Sequence, residues 1–211
     1  MDIAFLGVGN VGFALAGRLA RLGHSVTIAA RNTESDSVKR ALEKNPDLSV
    51  KPIREAAAEA EVVFLATPFQ ANEAALRDAG DLSGKVLVDC TNPVGPGLSH
   101  GLESKISGGE HVQNLAVTAK VVKAFTIYGY ENFEDSTYPG YGDLKPAMLI
   151  AGNDPAAKKL VAGLCAQLGW EPIDTGNIAM SLHLEHMALL WIKMGRVQGR
   201  GAGFVWALLT R

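Results

Sequence analysis

The sequence predicts an α/β protein: a doubly wound, mainly parallel β-sheet with a small C-terminal helical extension. Three features carry this expectation. Short apolar runs of strand length recur at residues 2–6, 26–30, 62–66, 85–89 and 121–125. The run at 62–66, Val-Val-Phe-Leu-Ala, reads as a strand buried on both faces. Segments with helical spacing separate the runs, as parallel strands require, because each parallel pair needs a crossover. A glycine turn, Gly7-Val8-Gly9-Asn10-Val11-Gly12, joins the first run to the first helical segment.

Taken in order, Asp2-Ile3-Ala4-Phe5-Leu6 is the first strand. In the strand–turn–helix context that follows, Gly7 permits a tight turn, Gly9 lets the backbone approach a pyrophosphate, and Gly12 lets helix and strand pack closely. The free N–H groups at the helix start, with the positive end of its dipole, face the phosphates. The turn therefore makes the expected sheet a Rossmann-type one. Val11, Ala14, Leu15, Leu19 and Leu22 recur at helical spacing, and Gly23 ends the helix. The second strand runs into Arg31-Asn32-Thr33. Residues 35–44 suit a helix closed by Asn45-Pro46, Ser49-Val50 a short strand, and 53–60 an alanine-rich helix. After the strand at 62–66, Thr67-Pro68-Phe69 opens a helix reaching Ala79. The strand at 85–89 leads into Cys90-Thr91-Asn92-Pro93-Val94-Gly95-Pro96-Gly97, a loop rich in turn formers. A helix at 109–118 and a strand at 121–125 follow.

The pattern breaks at 126–145, which holds all four tyrosines, Tyr128, Tyr130, Tyr138 and Tyr141. A loop of this length in a compact domain is usually functional or mobile. A strand returns at 147–151. Asp154-Pro155 then caps a helix that Gly169 closes, and 171–174 is a short strand. The helix at 181–194 is apolar nearly all round, so it is buried on more than one side. The tail at 199–211 is too apolar to hang in water and packs on its own subunit or on a partner.

The 211 residues suffice for one sizeable domain, or one domain with a small appended lobe, and 47% are apolar. The net charge is −2, from 20 basic and 22 acidic residues, which gives no electrostatic case for nucleic acid or an anionic membrane as a partner. No apolar run reaches transmembrane length, and the chain opens directly into a strand without a basic leader, so a cytoplasmic location is expected. Cys90 and Cys165 form no framework and lack metal-ligand spacing. His183 and His186 share a helix face, but the further ligands of a zinc site are missing from the spacing, so no metal is expected.

In an open parallel sheet a ligand lies beyond the carboxyl ends of the strands, where strand order reverses. An NAD site usually carries an acid roughly 20 residues after the glycines, on the ribose 2′-hydroxyl. This chain carries Arg31 with Asn32 and Thr33, and a guanidinium suits a 2′-phosphate, so the expected cofactor is NADP(H). Lys39 and Arg40 read as a solvated helix face. Ala66, Thr67, Pro68 and Phe69 are expected to line the nicotinamide half, Thr67 by hydrogen bonding and Phe69 by covering a ring face. Asn92 and Pro93 sit beside them, the proline fixing the backbone and leaving the Asn92 carboxamide free for a ligand.

These segments fall in the order and spacing of a known family: the glycine turn, Arg31, Ala66-Thr67-Pro68, Asp89-Cys90-Thr91-Asn92-Pro93, Val121-Val122-Lys123-Ala124-Phe125 and Glu131-Asn132-Phe133. The chain resembles the NADPH:deazaflavin (coenzyme F-420) oxidoreductases and their bacterial NADP-binding relatives. The cytosolic reductase domain of the transmembrane ferric reductases is similar too. The resemblance implies hydride transfer between the nicotinamide of NADP(H) and a deazaflavin or flavin-like second substrate. Its ring would lie against Pro93, Val94, Thr126, Ile127 and the helix start at 177–181. The archaeal enzymes carry histidine at Phe125 and proline at Tyr128, so this chain alters the wall beside the acceptor. Direct transfer between stacked rings needs no general acid or base, and no catalytic side chain is expected.

Residues 1–176 are then the NADP-binding domain. Residues 177–211 form a helical lobe that completes the acceptor pocket or a dimer interface. Two alternatives stand beside this reading. One is an imine or carbonyl reductase of the pyrroline-carboxylate or hydroxyacid type, for whose dimerisation domain 177–211 is short. The other is a non-enzymatic module that senses NADP redox state. The expected partners are a small-molecule redox acceptor and, from the apolar tail, a second copy of the chain in a homodimer.

Overall fold

The computed structural model describes residues 1–211, the side chain of Ser37 excepted. Eight strands form one sheet: β1 (Asp2–Leu6), β2 (Ser25–Ala30), β3 (Ser49–Pro52), β4 (Val62–Leu65), β5 (Val86–Asp89), β6 (Lys120–Lys123), β7 (Ala147–Gly152) and β8 (Glu171–Asp174). Their order is β3-β2-β1-β4-β5-β6-β7-β8. β1 to β6 pair in parallel, β7 joins β6 antiparallel, and β8 runs parallel to β7. Strand order reverses between β1 and β4, so a crevice opens at their carboxyl ends.

Helices α1 (Asn10–Arg21), α6 (Glu131–Glu134), α7 (Pro155–Gln167) and α8 (Ser181–Ile192) accompany α2 (Asp36–Lys44), α3 (Ile53–Glu59), α4 (Asn72–Ala79) and α5 (Gly108–Leu115). Successive strand residues point to opposite faces, and β4 shows it. Val62 and Phe64 join a core with Leu15, Phe125 and Trp170, while Val63 and Leu65 join a second core with Leu76, Leu87 and Val112. The rings of Phe5 and Phe64 stack at 4.5 Å between centroids, and Phe125 packs 6.0 Å from Phe64.

Several boundaries differ from the sequence pattern, among them the helix expected at 109–118, which ends at Leu115. The strand expected to reach residue 125 ends at Lys123, because Phe125 sits in the left-handed region at φ 56° and turns the chain out of the sheet. After Thr67 a 3₁₀ turn, Phe69–Ala71, delays the helix to Asn72. The 126–145 stretch holds the short helix α6. The last helix ends at Ile192 and continues as a π-turn, Lys193–Val197. The tail packs on its own chain: Trp191 Nε1 donates to Phe204 O (2.9 Å) and Ala147 N to Trp206 O (2.8 Å). Among the described residues no helix is long and apolar enough to cross a membrane.

Candidate cofactor and acceptor site

The glycine turn has the geometry its composition predicts. Gly7 adopts φ 98°, and a Cβ there would lie 2.8 Å from Ala66 O. A Cβ on Gly12 would collide with Gly7 O, whereas one on Gly9 would meet nothing within 4 Å. Gly9 therefore borders open space at the start of α1. No side chain caps that helix and no acid lies in its first turn, so its orphan N–H groups face the opening.

Two clefts meet there. One, of about 360 Å³, is lined by Gly7, Val8, Ala30, Arg31, Asn32 and Thr67 among others. Arg31 is exposed, and its Nε donates to Asp78 Oδ2 at 2.7 Å, which leaves the two Nη groups for a ligand. Asn32 Oδ1 accepts from Glu34 N (3.0 Å) and closes the turn after β2. Thr33 is not among the lining residues. Arg40, read from sequence as a solvated residue, lines a smaller recess with Lys44 beside Val8, Gly9 and Asn10, while Lys39 lies 3.7 Å from Glu34.

The second cleft, of about 460 Å³, has Gly9, Asn10, Val11, Ala66, Thr67, Pro68 and Asn92 on one side. Thr126, Ile127, Tyr128, Tyr130, Trp191 and Arg196 face them. Asn92 Nδ2 donates to Thr126 O (2.9 Å), and both Asn92 Oδ1 and Thr126 Oγ1 are buried without a partner. Such atoms are costly unless a ligand pairs them. Tyr128 donates its hydroxyl to Ala147 O (2.8 Å) and accepts from Trp206 N (3.1 Å). Burial pushes that hydroxyl well up from the ordinary tyrosine range, so Tyr128 is an anchor rather than a proton source. The Arg196 guanidinium lies 5.6 Å over the Trp191 ring and pairs with Glu131. Phe69, Pro93 and Val94 are brought near but do not line this cleft. The Phe69 ring lies 5.5 Å from His111, Pro93 is buried, and Val94 bridges to His100.

Behind the cleft is a buried charged cluster that sequence reasoning missed. Lys123 Nζ donates to Asp89 Oδ2 (2.9 Å) and Thr91 O (2.6 Å) and lies 2.8 Å from Glu185 Oε1. Glu185 also accepts from Gly108 N (2.9 Å) and Gly109 N (3.1 Å), at the start of α5. His100 Nδ1 accepts from Leu102 N and Ser104 N, so its proton sits on Nε2, 2.8 Å from Glu185 Oε2. Burial alone would push the Glu185 carboxyl up, but Lys123, His100 and the Gly108 amide hold it below the ordinary value. Burial likewise opposes the charge on Lys123, and the carboxylates of Asp89 and Glu185 overcome it, leaving its pKa raised. Sequence offered a signal: a lysine within the apolar run at 121–125 needs a buried counter-charge. His183 is exposed, and His186 Nε2 lies 3.0 Å from Ser104 Oγ.

An uncapped helix start beside an empty glycine, a guanidinium with its two Nη groups unengaged and two unpaired polar atoms along one groove fit a phosphate-rich dinucleotide. Fold and groove together define a Rossmann-type dinucleotide-binding protein. Comparison with known proteins narrows the class. Residues 2–93 match the family model for NADP oxidoreductase, coenzyme F420-dependent. A candidate F420-dependent NADP reductase from Arthrobacter sp. FB24 is 33% identical, with a TM-score of 0.88 and 100% of each chain covered. The F420-dependent NADP reductase of Methanothermobacter marburgensis is 42% identical over 102 residues, 44% of this chain and 46% of that protein. The metalloreductase STEAP3 of Rattus norvegicus is 30% identical over 189 residues, 89% of this chain and 36% of that protein. The matches thus span less than half the length of these two relatives. The chain belongs to the coenzyme F420-dependent NADP oxidoreductase family.

Proposed function

We propose that the chain passes hydride between the nicotinamide of NADP(H) and a deazaflavin or flavin-like ring lying against it. One observation carries this reading. The larger cleft is walled by Ile127, Tyr128, Tyr130 and Trp191, and among the described residues no histidine, lysine or carboxylate lines it, which leaves the Tyr130 hydroxyl as the side-chain acid beside the anchored Tyr128. Nicotinamide, when bound, supplies or receives the hydride. Transfer between two stacked rings asks the protein for position and dryness, whereas reduction of a carbonyl asks for a proton donor at the oxygen. The archaeal relative is an F420-dependent NADP reductase by name, which supports a deazaflavin as the acceptor.

In this reading Gly7, Val8, Gly9, Asn10, Val11 and Gly12 seat the diphosphate. Arg31 holds the 2′-phosphate with its Nη groups while Asp78 fixes its Nε, and Asn32 and Thr33 shape the turn beside it. Ala66, Thr67, Pro68 and Asn92 hold the nicotinamide side, with Phe69 and Pro93 supporting from behind. Thr126, Ile127 and Tyr128 face the acceptor, and Val94 steadies the loop below. Residues 1–176 carry the cofactor and 177–211 close the acceptor side. Loss of 340 nm absorbance tests the reading, with NADPH and a deazaflavin, FMN or a cyclic imine offered in parallel. Turnover of the deazaflavin or flavin is expected. Turnover of the imine alone, or NADPH binding with no turnover of any acceptor, overturns it.

The same reading includes a homodimer through the end of the tail, where Leu208 and Leu209 are 57% and 80% exposed. A monomer mass in light scattering at micromolar concentration removes that part.

A further inference from the structure

A chain of hydrogen bonds runs from the buried charged cluster to the cofactor groove, and its direction is fixed at one end. Asp89, paired with Lys123, offers only acceptor oxygens. Thr91 must therefore donate its hydroxyl to Asp89 Oδ1 (2.7 Å), as its backbone N–H also does (2.9 Å). With its proton committed, Thr91 Oγ1 can only accept from Asn72, so the nearer Asn72 atom is Nδ2, at 2.9 Å. That fixes the carboxamide, whose Oδ1 then accepts the Thr67 hydroxyl at 2.8 Å. Asn72 and Thr91 are buried, which keeps water from substituting for a link. Thr67 lines both clefts, at the joint between the two halves of the groove. Its proton points inward, so its oxygen can offer the groove lone pairs and nothing else. Asn92 has the same polarity: Nδ2 is used on Thr126 O, and the unpartnered atom is the acceptor Oδ1.

We propose that Asp89, Thr91 and Asn72 are positioning residues that hold Thr67 as an obligate hydrogen-bond acceptor, so that the middle of the groove takes a donor group of the dinucleotide, a nicotinamide-ribose hydroxyl or the carboxamide N–H, and turns away a phosphate oxygen. The assignment rests on the NADP(H) reading above and adds to it which chemical group is read at that point. Phosphate oxygens are held elsewhere, by the N–H groups of α1 and by guanidinium.

Four ligands separate the possibilities by calorimetry: adenosine 2′,5′-bisphosphate, which has neither donor group; 2′-phosphoadenosine diphosphate ribose, which has the hydroxyls; the 3-acetylpyridine analogue of NADP, which lacks the amide N–H; and NADP itself. Thr67→Val removes the acceptor with little change of shape. If a ribose hydroxyl is the donor, this variant weakens the last three ligands about five- to tenfold and leaves the bisphosphate unchanged. If the carboxamide is the donor, NADP alone weakens. Asn72→Leu, with Thr67 intact, reproduces the same pattern at lower amplitude, because the freed hydroxyl can then turn either way. Should Asn72→Leu not fold, Thr67→Val decides. Equal weakening of all four ligands, or no change in any, overturns the proposal while the NADP(H) reading stands. If the wild-type chain binds none of the four, the NADP(H) reading falls and this proposal with it.

Discussion

The two walls of the groove are built from different materials. The wall formed by β1, α1 and β4 is largely backbone: a glycine turn, an uncapped helix start and the close approach of Gly7 to Ala66. The facing wall, from residues 126–130, α8 and the π-turn after it, is side chain: Tyr130, Trp191 and Arg196, with Glu185 of α8 bound to Lys123 and His100. Backbone recognition depends on side chains being absent. The opposite wall depends on a buried arrangement of charges, where each partner answers for the desolvation of the others.

That contrast can be broken most forcefully from the charged side. Lys123→Met leaves Asp89 and Glu185 buried without their cation and is expected to cost about 3–5 kcal/mol of stability, read by urea denaturation. A loss within experimental error would mean that the cluster does not hold the wall. On the backbone side, Arg31→Asp is expected to weaken NADPH relative to NADH by about 1.5–3 kcal/mol, the range for hydrogen bonds to charged groups, with the fold unchanged. Equal losses for both cofactors, by calorimetry, would show that Arg31 does not read the 2′-phosphate.

Gly12→Ala and Gly9→Ala sharpen the difference within one turn. The first forces a Cβ onto Gly7 O and is expected to cost about 1–3 kcal/mol of stability. The second meets no atom in the free protein, so thermal denaturation should change by less than about 0.5 kcal/mol while dinucleotide affinity falls. The smallest effect is in pH. Glu185 is held below the ordinary glutamate value of 4.5. Its contribution to stability is therefore complete above that value and is lost as pH falls from there through the folded-state value. Glu185→Gln should flatten the acid limb of a stability–pH curve measured from neutrality downward. An unchanged acid limb would assign acid lability to other carboxylates.

Much of the first wall was legible because its signals are local. The glycine turn, Arg31 and Ala66-Thr67-Pro68 each act within a few residues of where they stand, and the structure gathers all but Gly12 of the glycine turn, Thr33 of the 31–33 turn and Phe69 of the 66–69 stretch along the two clefts. The second wall was harder to read. Asp89, His100, Lys123 and Glu185 come from four separate segments, and each alone looks like a strand end, a loop or a helix face. Lys123 in an apolar strand and Glu185 in an apolar helix were the visible hints. Phe125 misled for a different reason. Its β-propensity argues for continuing the strand, while tertiary packing against Phe64 and Phe133 accompanies a left-handed backbone.

Tyr128 is clamped between Ala147 O and Trp206 N, the latter 78 residues farther along the chain. All six mutually parallel strands have been made once Lys123 has left the ribosome, although Lys123 gains its second carboxylate only when Glu185 follows. The wall that carries Tyr128 cannot be complete at that point: that tyrosine stays untethered on one side until Trp206 emerges. A ribosome-stalled chain cut short of that residue would then carry the glycine turn and the first six strands while the wall facing them was still unfinished.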